Sequence, residues 1–334
     1  MDYFRPIAMT DPARPRGARA LAGGWCWFDR AERLGRDGAR EIVPAGDLPG
    51  ALLDRLCAPR PALAGLKLDR PRVMGIVNVT PDSFSDGGRF DSTEAAVAQG
   101  RALAEAGADI LDIGGESTRP GAAEVPAADE AARVLPVIEA LAGTAPVSVD
   151  TRKAAVAEAA LAAGARIVND VSALGFDPAL AGVVATADAP LCLMHAQGRP
   201  ETMQDDPRYD DVLLDVHDAL AGRVAAAEAA GIARDRIVID PGIGFGKTAA
   251  HNLALIRGLS LFHGLGCPVL LGVSRKRFIG TIGRAGAPEA RAPGTLALTL
   301  AGLAQGVQIH RVHDVPQIVQ GLLLWQAVTQ GDSR

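Results

Sequence analysis

From about residue 73 onward, short apolar segments alternate with longer alanine-rich segments. The apolar segments are rich in valine, isoleucine and leucine, which is typical of buried strands. The alanine-rich segments have the spacing of amphipathic helices, the clearest at 94–106, 129–142, 153–163 and 212–230. The predicted strands lie at about 73–77, 109–113, 146–149, 166–168, 190–194, 236–239, 268–271 and 307–312.

This alternation favours an α/β fold, a (β/α)8 TIM barrel with a small N-terminal extension. A strand followed by a helix, repeated about eight times over some 260 residues, matches the length and order of such a barrel, and a doubly wound open sheet is the alternative. Closing the sheet would bring the strand ends around one rim, where barrels build their active sites. Polar residues follow the predicted strands: Asn78, Asp112, Asp150, Asn169, His195, Asp240, Ser274 and Arg311.

Residues 1–70 do not share the alternating pattern. Trp25 and Trp27 lie in a segment that resembles a small hairpin, which is followed by a predicted helix from Asp47 to about Cys57 and a linker at about 60–70. We therefore divide the chain into an N-terminal extension at 1–70 and a catalytic domain at 71–330. The extension is either an appendage that packs its tryptophans on the barrel or a partner-binding or regulatory module, because exposed tryptophan patches mark interfaces.

The composition changes this picture little but removes several classes of function. Hydrophobic residues make up 48% and charged residues 22% of the chain, as in ordinary globular proteins. A net charge of −5 does not favour binding to nucleic acid or to an anionic membrane surface. The four cysteines have no CxxC spacing, which argues against a zinc site and a disulfide framework. The spacing of the cysteines and an N-terminus without an uninterrupted apolar segment together predict a cytoplasmic protein.

Two polar loops follow the first two predicted strands. Asn78 lies at the base of the first loop, and the carboxylates of Asp82 and Asp86 could assist a Mg2+ ion, which takes oxygen ligands and often substrate phosphates. In the second loop, Thr118 and Arg119 follow paired glycines and can bind an anionic oxygen. Alone, each loop is a weak signal, since such residues are common in loops.

Asp150, Asn169 and Asp240 each end or nearly end a predicted strand. Helix capping is the simpler explanation for Asp150 and Asn169, because both stand just before predicted helices. Capping does not explain why carboxylates end strands on the predicted catalytic rim. An amide and two carboxylates that face one another suit a flat heterocycle such as a pterin or a guanine, whose amino and ring N–H groups can donate paired hydrogen bonds.

The segment from Gly242 to Thr248 resembles an ATP-binding P-loop but does not satisfy its spacing. The pattern requires a glycine five positions before the Gly-Lys pair, and that position is Pro241. An ATP-hydrolysing loop is therefore not expected. The glycines instead allow Phe245 to project beside a ligand.

Cationic residues follow the last two predicted strands. Ser274, Arg275 and Lys276 come after the seventh, and Arg311 and His313 end the eighth. Loops after these two strands commonly hold phosphate in barrels, so this cluster predicts a phosphate site that includes His313. His195, after the fifth strand, remains open between a binding and a structural role.

Six ordered segments, NVTPDSFSDGG, GGESTRPGA, NDVSAL, DPGIGFGK, GVSRK and RVHDV, resemble the dihydropteroate synthase family of the folate pathway. The resemblance covers about residues 72–330. It implies a barrel, usually a homodimer, that joins 6-hydroxymethyl-7,8-dihydropterin diphosphate to 4-aminobenzoate and releases diphosphate. A pterin-dependent methyltransferase and a catalytically silent pterin-binding paralogue are the two alternatives. Because arylamines are poor nucleophiles, we expect diphosphate to depart first.

The resemblance also implies roles for individual residues. It makes Asn78 a Mg2+ ligand, to which the carboxylate of Asp86 in the same loop is added as a predicted ligand. The implied diphosphate or arylamine contacts are Thr118, Arg119, Ser274, Arg311 and His313. The implied pterin site consists of Asp150, Asn169, Asp240 and Lys276. Phe84, Pro120 and Phe245 are implied to lie near the aminobenzoate. The residues expected to be catalytic are Asp240, Lys276, Arg311 and His313.

Overall fold

The N-terminal extension forms a small sheet and one helix beside the rest of the chain. The computed structural model describes residues 2–80, 89–117, 124–198 and 203–330. An antiparallel sheet has the order β1-β4-β5, and β2 pairs with β3 in a hairpin. The elements of the extension are β1 (Asp2–Pro6), β2 (Arg19–Ala20), β3 (Trp27–Phe28), β4 (Arg30–Gly35), β5 (Arg40–Pro44) and α1 (Gly50–Cys57).

Eight parallel strands form the main sheet, in the order β11-β10-β9-β8-β7-β6-β13-β12. Its two edges meet where Ile239 pairs with Val269 and donates its N–H to Pro268 O at 3.0 Å. The (β/α)8 prediction is therefore confirmed and the open doubly wound sheet is wrong. The strands are β6 (Arg72–Asn78), β7 (Ile110–Gly114), β8 (Val147–Asp150), β9 (Ile167–Asp170), β10 (Leu191–Met194), β11 (Ile237–Asp240), β12 (Leu270–Leu271) and β13 (Ile309–Val312).

Helices follow the strands of the barrel along the chain. Among the described helices, none combines the length and apolar character needed to cross a lipid bilayer. Short 3-10 turns occupy Ala45–Asp47, Arg234–Arg236, Leu259–Leu265 and Glu289–Arg291. The helices are α2 (Arg89–Glu105), α3 (Ala127–Leu141), α4 (Ala154–Ala162), α5 (Leu180–Thr186), α6 (Val212–Ala229), α7 (Ala249–Arg257), α8 (Arg277–Gly283), α9 (Ala292–Leu303) and α10 (Val315–Gln330).

Two predicted elements differ from the structure because of proline. The strand predicted at 268–271 is reduced to Leu270–Leu271, since Pro268 has no N–H to donate to a ladder and Val269 donates its N–H to Gln308 Oε1 instead. The helix predicted from Asp47 is interrupted: Leu48 is extended, with ψ of 148°, and α1 begins only at Gly50. Pro49 accounts for this break, because the residue before a proline is driven out of the helical region.

The extension and the segment after it both pack on the barrel. Trp25 Nε1 donates to Leu303 O at 2.8 Å, and Ser260 Oγ donates to Pro6 O at 2.7 Å. Trp25 is thus buried on the barrel, as the appendage interpretation predicted, while Trp27 is buried and donates through Nε1 to Asp11 O at 2.7 Å within the extension. In the segment predicted as a linker, Leu63 and Leu68 pack against the first residues of the strands and cover that end of the barrel, with Met74, Ile110, Ile167, Cys192, Val238, Leu270 and Ile309.

Candidate functional site

Arg311 joins two carboxylates inside the mouth of the barrel. Its Nε donates to Asp112 Oδ2 at 2.6 Å and its Nη2 donates to Asp150 Oδ2 at 2.7 Å. Asn169 Nδ2 donates to the same Asp112 oxygen at 3.1 Å. The structure thus brings together Asp150, Asn169 and Arg311, which the sequence singled out, with Asp112, to which the sequence assigned no role.

This network leaves acceptor oxygens for a ligand. The Oδ1 atoms of Asp112 and Asp150 are buried and have no hydrogen-bond partner within the part of the chain that the structure describes. Burial raises the pKa of Asp150 to about 7, against the lowering effect of the Arg311 guanidinium. Because an unsatisfied buried acceptor is costly, these two oxygens indicate a site for a molecule that carries N–H donors.

Asp240 is the second buried carboxylate that the sequence predicted on the rim. Its Oδ1 accepts a hydrogen bond from the Gly242 N–H at 2.7 Å. Burial raises the pKa of Asp240 to about 6, while that N–H and the nearby Lys276 ammonium oppose the shift. Lys276 is half-buried, and its Nζ lies 4.1 Å from the ring centroid of Phe245, within the range of a cation–π contact. Asp240, Lys276 and Phe245 therefore share one side of the site.

The loop after β11 needs its glycines for a backbone reason. Gly242 has φ of 67° and Gly246 has φ of 61°, in the left-handed region that side chains disfavour. A Cβ on Gly242 would lie 1.8 Å from His195 O, and one on Gly246 would lie 2.4 Å from Gln197 O. The pattern that resembled a P-loop is thus a tight turn pressed against the end of β10, with Phe245 between its glycines.

Lys247, at the end of this loop, bonds the loop to His195. The sequence gave no reason to assign it this role. Its Nζ donates to Phe245 O at 2.9 Å and to His195 O at 3.3 Å, and lies 2.9 Å from His195 Nδ1. Burial lowers the pKa of Lys247 to about 7 and that of His195 to about 3. His195 is therefore neutral, and its Nδ1 accepts from Lys247 in support of this loop.

The loops after β12 and β13 are bonded to each other. Ser274 Oγ accepts from the His313 N–H at 3.0 Å and lies 2.9 Å from His313 Nδ1. Because that oxygen already accepts one bond, its own hydrogen can point to Nδ1, which leaves Nε2–H as the ring's donor. Arg275 pairs with both oxygens of Asp314, at 3.0 and 2.5 Å. Arg275 thus fastens the two loops together.

Several predicted site residues lie beyond these groups. Asn78 is the last residue of β6, is half-buried and pairs with Gly114 in β7. The loop residues outside the described part of the chain are Phe84, Asp86, Thr118, Arg119 and Pro120.

The sequence analysis assigned no role to Asp112 or Lys247, for different reasons. Asp112 was among the polar residues at the ends of the predicted strands, but it was given no role, because its partner Arg311 lies 199 positions away. Lys247 had no such signal, because its partners are 52 and two residues away and two of its three contacts are to backbone carbonyls.

Comparisons with known proteins identify the family to which the chain is similar. The family model of pterin binding enzymes matches residues 74–313. Dihydropteroate synthase of Escherichia coli strain K12 is 46% identical over 264 residues, which cover 78% of this chain and 93% of that protein. The dihydropteroate synthase of Xanthomonas albilineans, solved with 4-aminobenzoic acid, is 53% identical with a TM-score of 0.75, covering 79% of this chain and 96% of that one. The same protein solved with 7,8-dihydropteroate is 50% identical with a TM-score of 0.72, covering 79% and 95%.

Proposed function

The chain belongs to the dihydropteroate synthases among the pterin-binding enzymes, and from this premise we propose the roles of its site residues. It is a transferase that joins 6-hydroxymethyl-7,8-dihydropterin diphosphate to 4-aminobenzoate, giving 7,8-dihydropteroate and diphosphate. The observation that carries the assignment of roles is the pair of buried carboxylates, Asp150 on β8 and Asp240 on β11, in a mouth that also holds Arg311 and Lys276.

The pterin ring binds between these two sides. Its amino and ring N–H groups donate to carboxylate oxygens, for which the unpartnered Oδ1 atoms of Asp112 and Asp150 are suited. Asn169 and Lys276 can donate to the acceptor atoms of the ring. Asp240 is held by the Gly242 N–H, so its position is fixed before the ligand arrives. Phe245 supplies an apolar surface beside the ring, at the side where the aminobenzoate enters.

The diphosphate lies toward the rim, near the Nε2–H of His313 and the guanidinium of Arg311. A Mg2+ ion fits this position through Asn78, whose carboxamide oxygen is a hard donor. The described part of the chain contains no cluster of three or more histidine, cysteine, aspartate or glutamate residues that could hold a metal. Mg2+ usually keeps several waters and takes other ligands from substrate phosphates, so it needs few protein oxygens. When bound, the ion neutralises charge on the departing diphosphate.

The reaction begins with cleavage of the C–O bond at the pterin methylene, whose electron pair leaves with diphosphate. The remaining carbocation is conjugated to the electron-rich dihydropterin ring. The carboxylates of Asp150 and Asp240 stabilise this cation electrostatically in a water-poor site. The amine nitrogen of 4-aminobenzoate then forms the C–N bond and loses a proton to solvent. No covalent bond to the protein is required.

We extend the proposal to a homodimer formed through α10. Leu323, Leu324 and Val328 on this helix are exposed by 63%, 64% and 83%. An apolar face of this kind on a surface helix is a feature of interfaces. Sedimentation of the wild type should give a dimer, and Leu324→Glu with Val328→Glu should give a monomer. A wild type that sediments as a monomer would remove this part of the proposal.

The proposal also includes a cytoplasmic location. Cys26, Cys57, Cys192 and Cys267 are all free thiols, which is usual in a reducing compartment.

The function is tested by supplying the protein with dihydropterin diphosphate, 4-aminobenzoate and Mg2+ and following products by mass spectrometry. We expect equimolar 7,8-dihydropteroate and diphosphate, and neither product in quantity when one substrate is omitted. Methyl transfer from methyltetrahydrofolate would instead support the methyltransferase alternative. Pterin binding without either reaction would support the silent paralogue.

A further inference from the structure

The hairpin of β4 and β5 in the N-terminal extension lies against the first turns of α6. Arg36, in the turn of this hairpin, donates through Nη1 to Asp215 Oδ1 at 2.7 Å and through Nη2 to Asp218 Oδ2 at 2.6 Å. Tyr3 Oη donates to the same Asp218 oxygen at 2.6 Å. Arg40 adds a longer contact, with Nη2 3.7 Å from Asp211 Oδ2. The extension therefore meets the start of α6 through paired charges.

Asp215 also bonds to the chain that precedes α6. Its Oδ2 accepts from the Asp210 N–H at 2.9 Å and from the Asp211 N–H at 3.3 Å. Asp218 has no such bond: its partners within the described residues are Arg36, Tyr3 and His217. Of the two carboxylates that Arg36 contacts, only Asp215 thus connects the extension to residues 203–211, which we call the brace segment.

The brace segment supports the loop that carries Phe245. Tyr209 Oη donates to Gly246 O at 2.8 Å, and Gln204 Nε2 donates to Gly244 O at 2.6 Å. These carbonyls belong to the residues on either side of Phe245. Burial raises the pKa of Tyr209 to about 12, and the charge of Asp215 acts in the same direction. The phenol therefore remains a donor at any pH at which the enzyme would work.

We propose that Arg36 is a positioning residue for the pterin site. Through Asp215 it orders the brace segment, whose Tyr209 and Gln204 hold the Gly244–Gly246 turn so that Phe245 stays beside Lys276. The inference rests on the proposed function of that turn in binding the pterin. It gives residues 1–70 a task in substrate binding although the extension supplies no atom to the site. The rival explanation is that Arg36 only fastens the extension to the barrel.

The size of the effect follows from exposure. The side chains of Arg36 and Asp215 are 41% and 26% exposed, and partly exposed ion pairs are weak. Losing Arg36 should therefore raise KM for the dihydropterin diphosphate by roughly two- to fivefold and change kcat by less than about twofold. A change in KM distinguishes the proposal from the rival explanation. If Arg36 only fastened the extension to the barrel, its loss would lower the melting temperature without changing KM.

The proposal can be tested with matched variants of the full-length protein. Arg36→Gln and Asp215→Ala should both raise KM for the dihydropterin diphosphate, and both should speed hydrogen exchange at residues 203–211 and 242–248. Asp218→Ala removes a docking contact of the same arginine but no bond to the brace segment. It should lower the melting temperature and leave KM and these exchange rates near those of the wild type. Arg36→Lys should restore part of the lost affinity.

Tyr209→Phe tests the connection itself. If Arg36 acts through the brace segment, the double variant with Arg36→Gln should raise KM about as much as the larger single change, since residues in one network are not additive. Fully multiplicative effects, or equal behaviour of Asp215→Ala and Asp218→Ala, would overturn the proposal. Wild-type protein that makes no dihydropteroate would instead contradict the proposed function.

Discussion

Arg311 donates to Asp150 Oδ2 at 2.7 Å across the mouth of the barrel, although their strands, β13 and β8, are separated in the sheet by β6 and β7. The contact is possible only because the sheet curves into a barrel. Through this contact, Arg311 positions the carboxylates that are suited to accept hydrogen bonds from the pterin. The same residue can then act on both halves of the first substrate, the ring through Asp150 and the diphosphate directly.

Replacing Arg311 should therefore damage both stability and binding. In Arg311→Met, Asp112 and Asp150 would face each other without a counter-charge, and breaking a buried ion pair in this way costs about 3 kcal/mol or more. We expect urea unfolding to show a loss of that size and calorimetry to show weaker binding of dihydropterin diphosphate. Arg311→Lys keeps the charge and should lose less of both. Unchanged stability in the methionine variant would mean that the pair is not what holds these carboxylates in place.

The pH dependence of substrate capture should report the two raised carboxyl pKa values. Asp150 and Asp240 have pKa values of about 7 and about 6, and protonation would turn an acceptor oxygen into an O–H donor that opposes the N–H donors of the pterin. The value of kcat/KM for dihydropterin diphosphate should fall as the pH is lowered through 7 and then 6. In Asp150→Asn, only the titration near pH 6 should remain. A flat profile between about pH 5 and 8 would contradict these assignments.

The contribution of these two carboxyl groups to stability should rise as the pH is lowered, whereas kcat/KM should fall. Both folded-state pKa values are raised above the ordinary value near 4 for an unfolded chain, so the folded protein binds more protons between about pH 4 and 7. The contribution of these two groups to the free energy of unfolding is therefore fully present at low pH. It is lost as the pH rises through their folded pKa values. Comparing urea unfolding of the wild type and Asp150→Asn across this range isolates the Asp150 contribution.

A methyl group at Gly242 should disable the loop after β11. Gly242→Ala would combine a left-handed backbone, which costs about 1–2 kcal/mol for an alanine, with a contact of 1.8 Å to His195 O. Gly65→Ala is a matched control, because its φ is 86° and a Cβ there meets nothing within 4 Å. Urea unfolding should show the larger loss for Gly242→Ala, and only this variant should lose turnover. Equal losses of stability would mean that the loop can move away from β10.

The barrel was predictable because its signals are local. Apolar segments with polar ends identified the strands to within a few residues, and the polar ends themselves identified Asp150, Asn169 and Asp240. The partners of these residues were not predictable in the same way. Arg311 reaches Asp112 across 199 positions, and the fixed geometry of the barrel, rather than any nearby pattern, brings them together. Proline also overrode helical periodicity at Pro49, as one residue can when its backbone is restricted.

The most direct test of this account is Asp240→Asn. The amide keeps the shape of the side chain and can still accept from the Gly242 N–H, so circular dichroism should show an unchanged fold. It loses the charge that stabilises the cation and that strengthens hydrogen bonds from the pterin. A charge-assisted hydrogen bond contributes about 1.5 to 3 kcal/mol, so Kd for dihydropterin diphosphate, measured by calorimetry, should rise roughly ten- to a hundredfold. Dihydropteroate formation should fall by at least as much. A folded variant with wild-type Kd and kcat/KM would contradict the account.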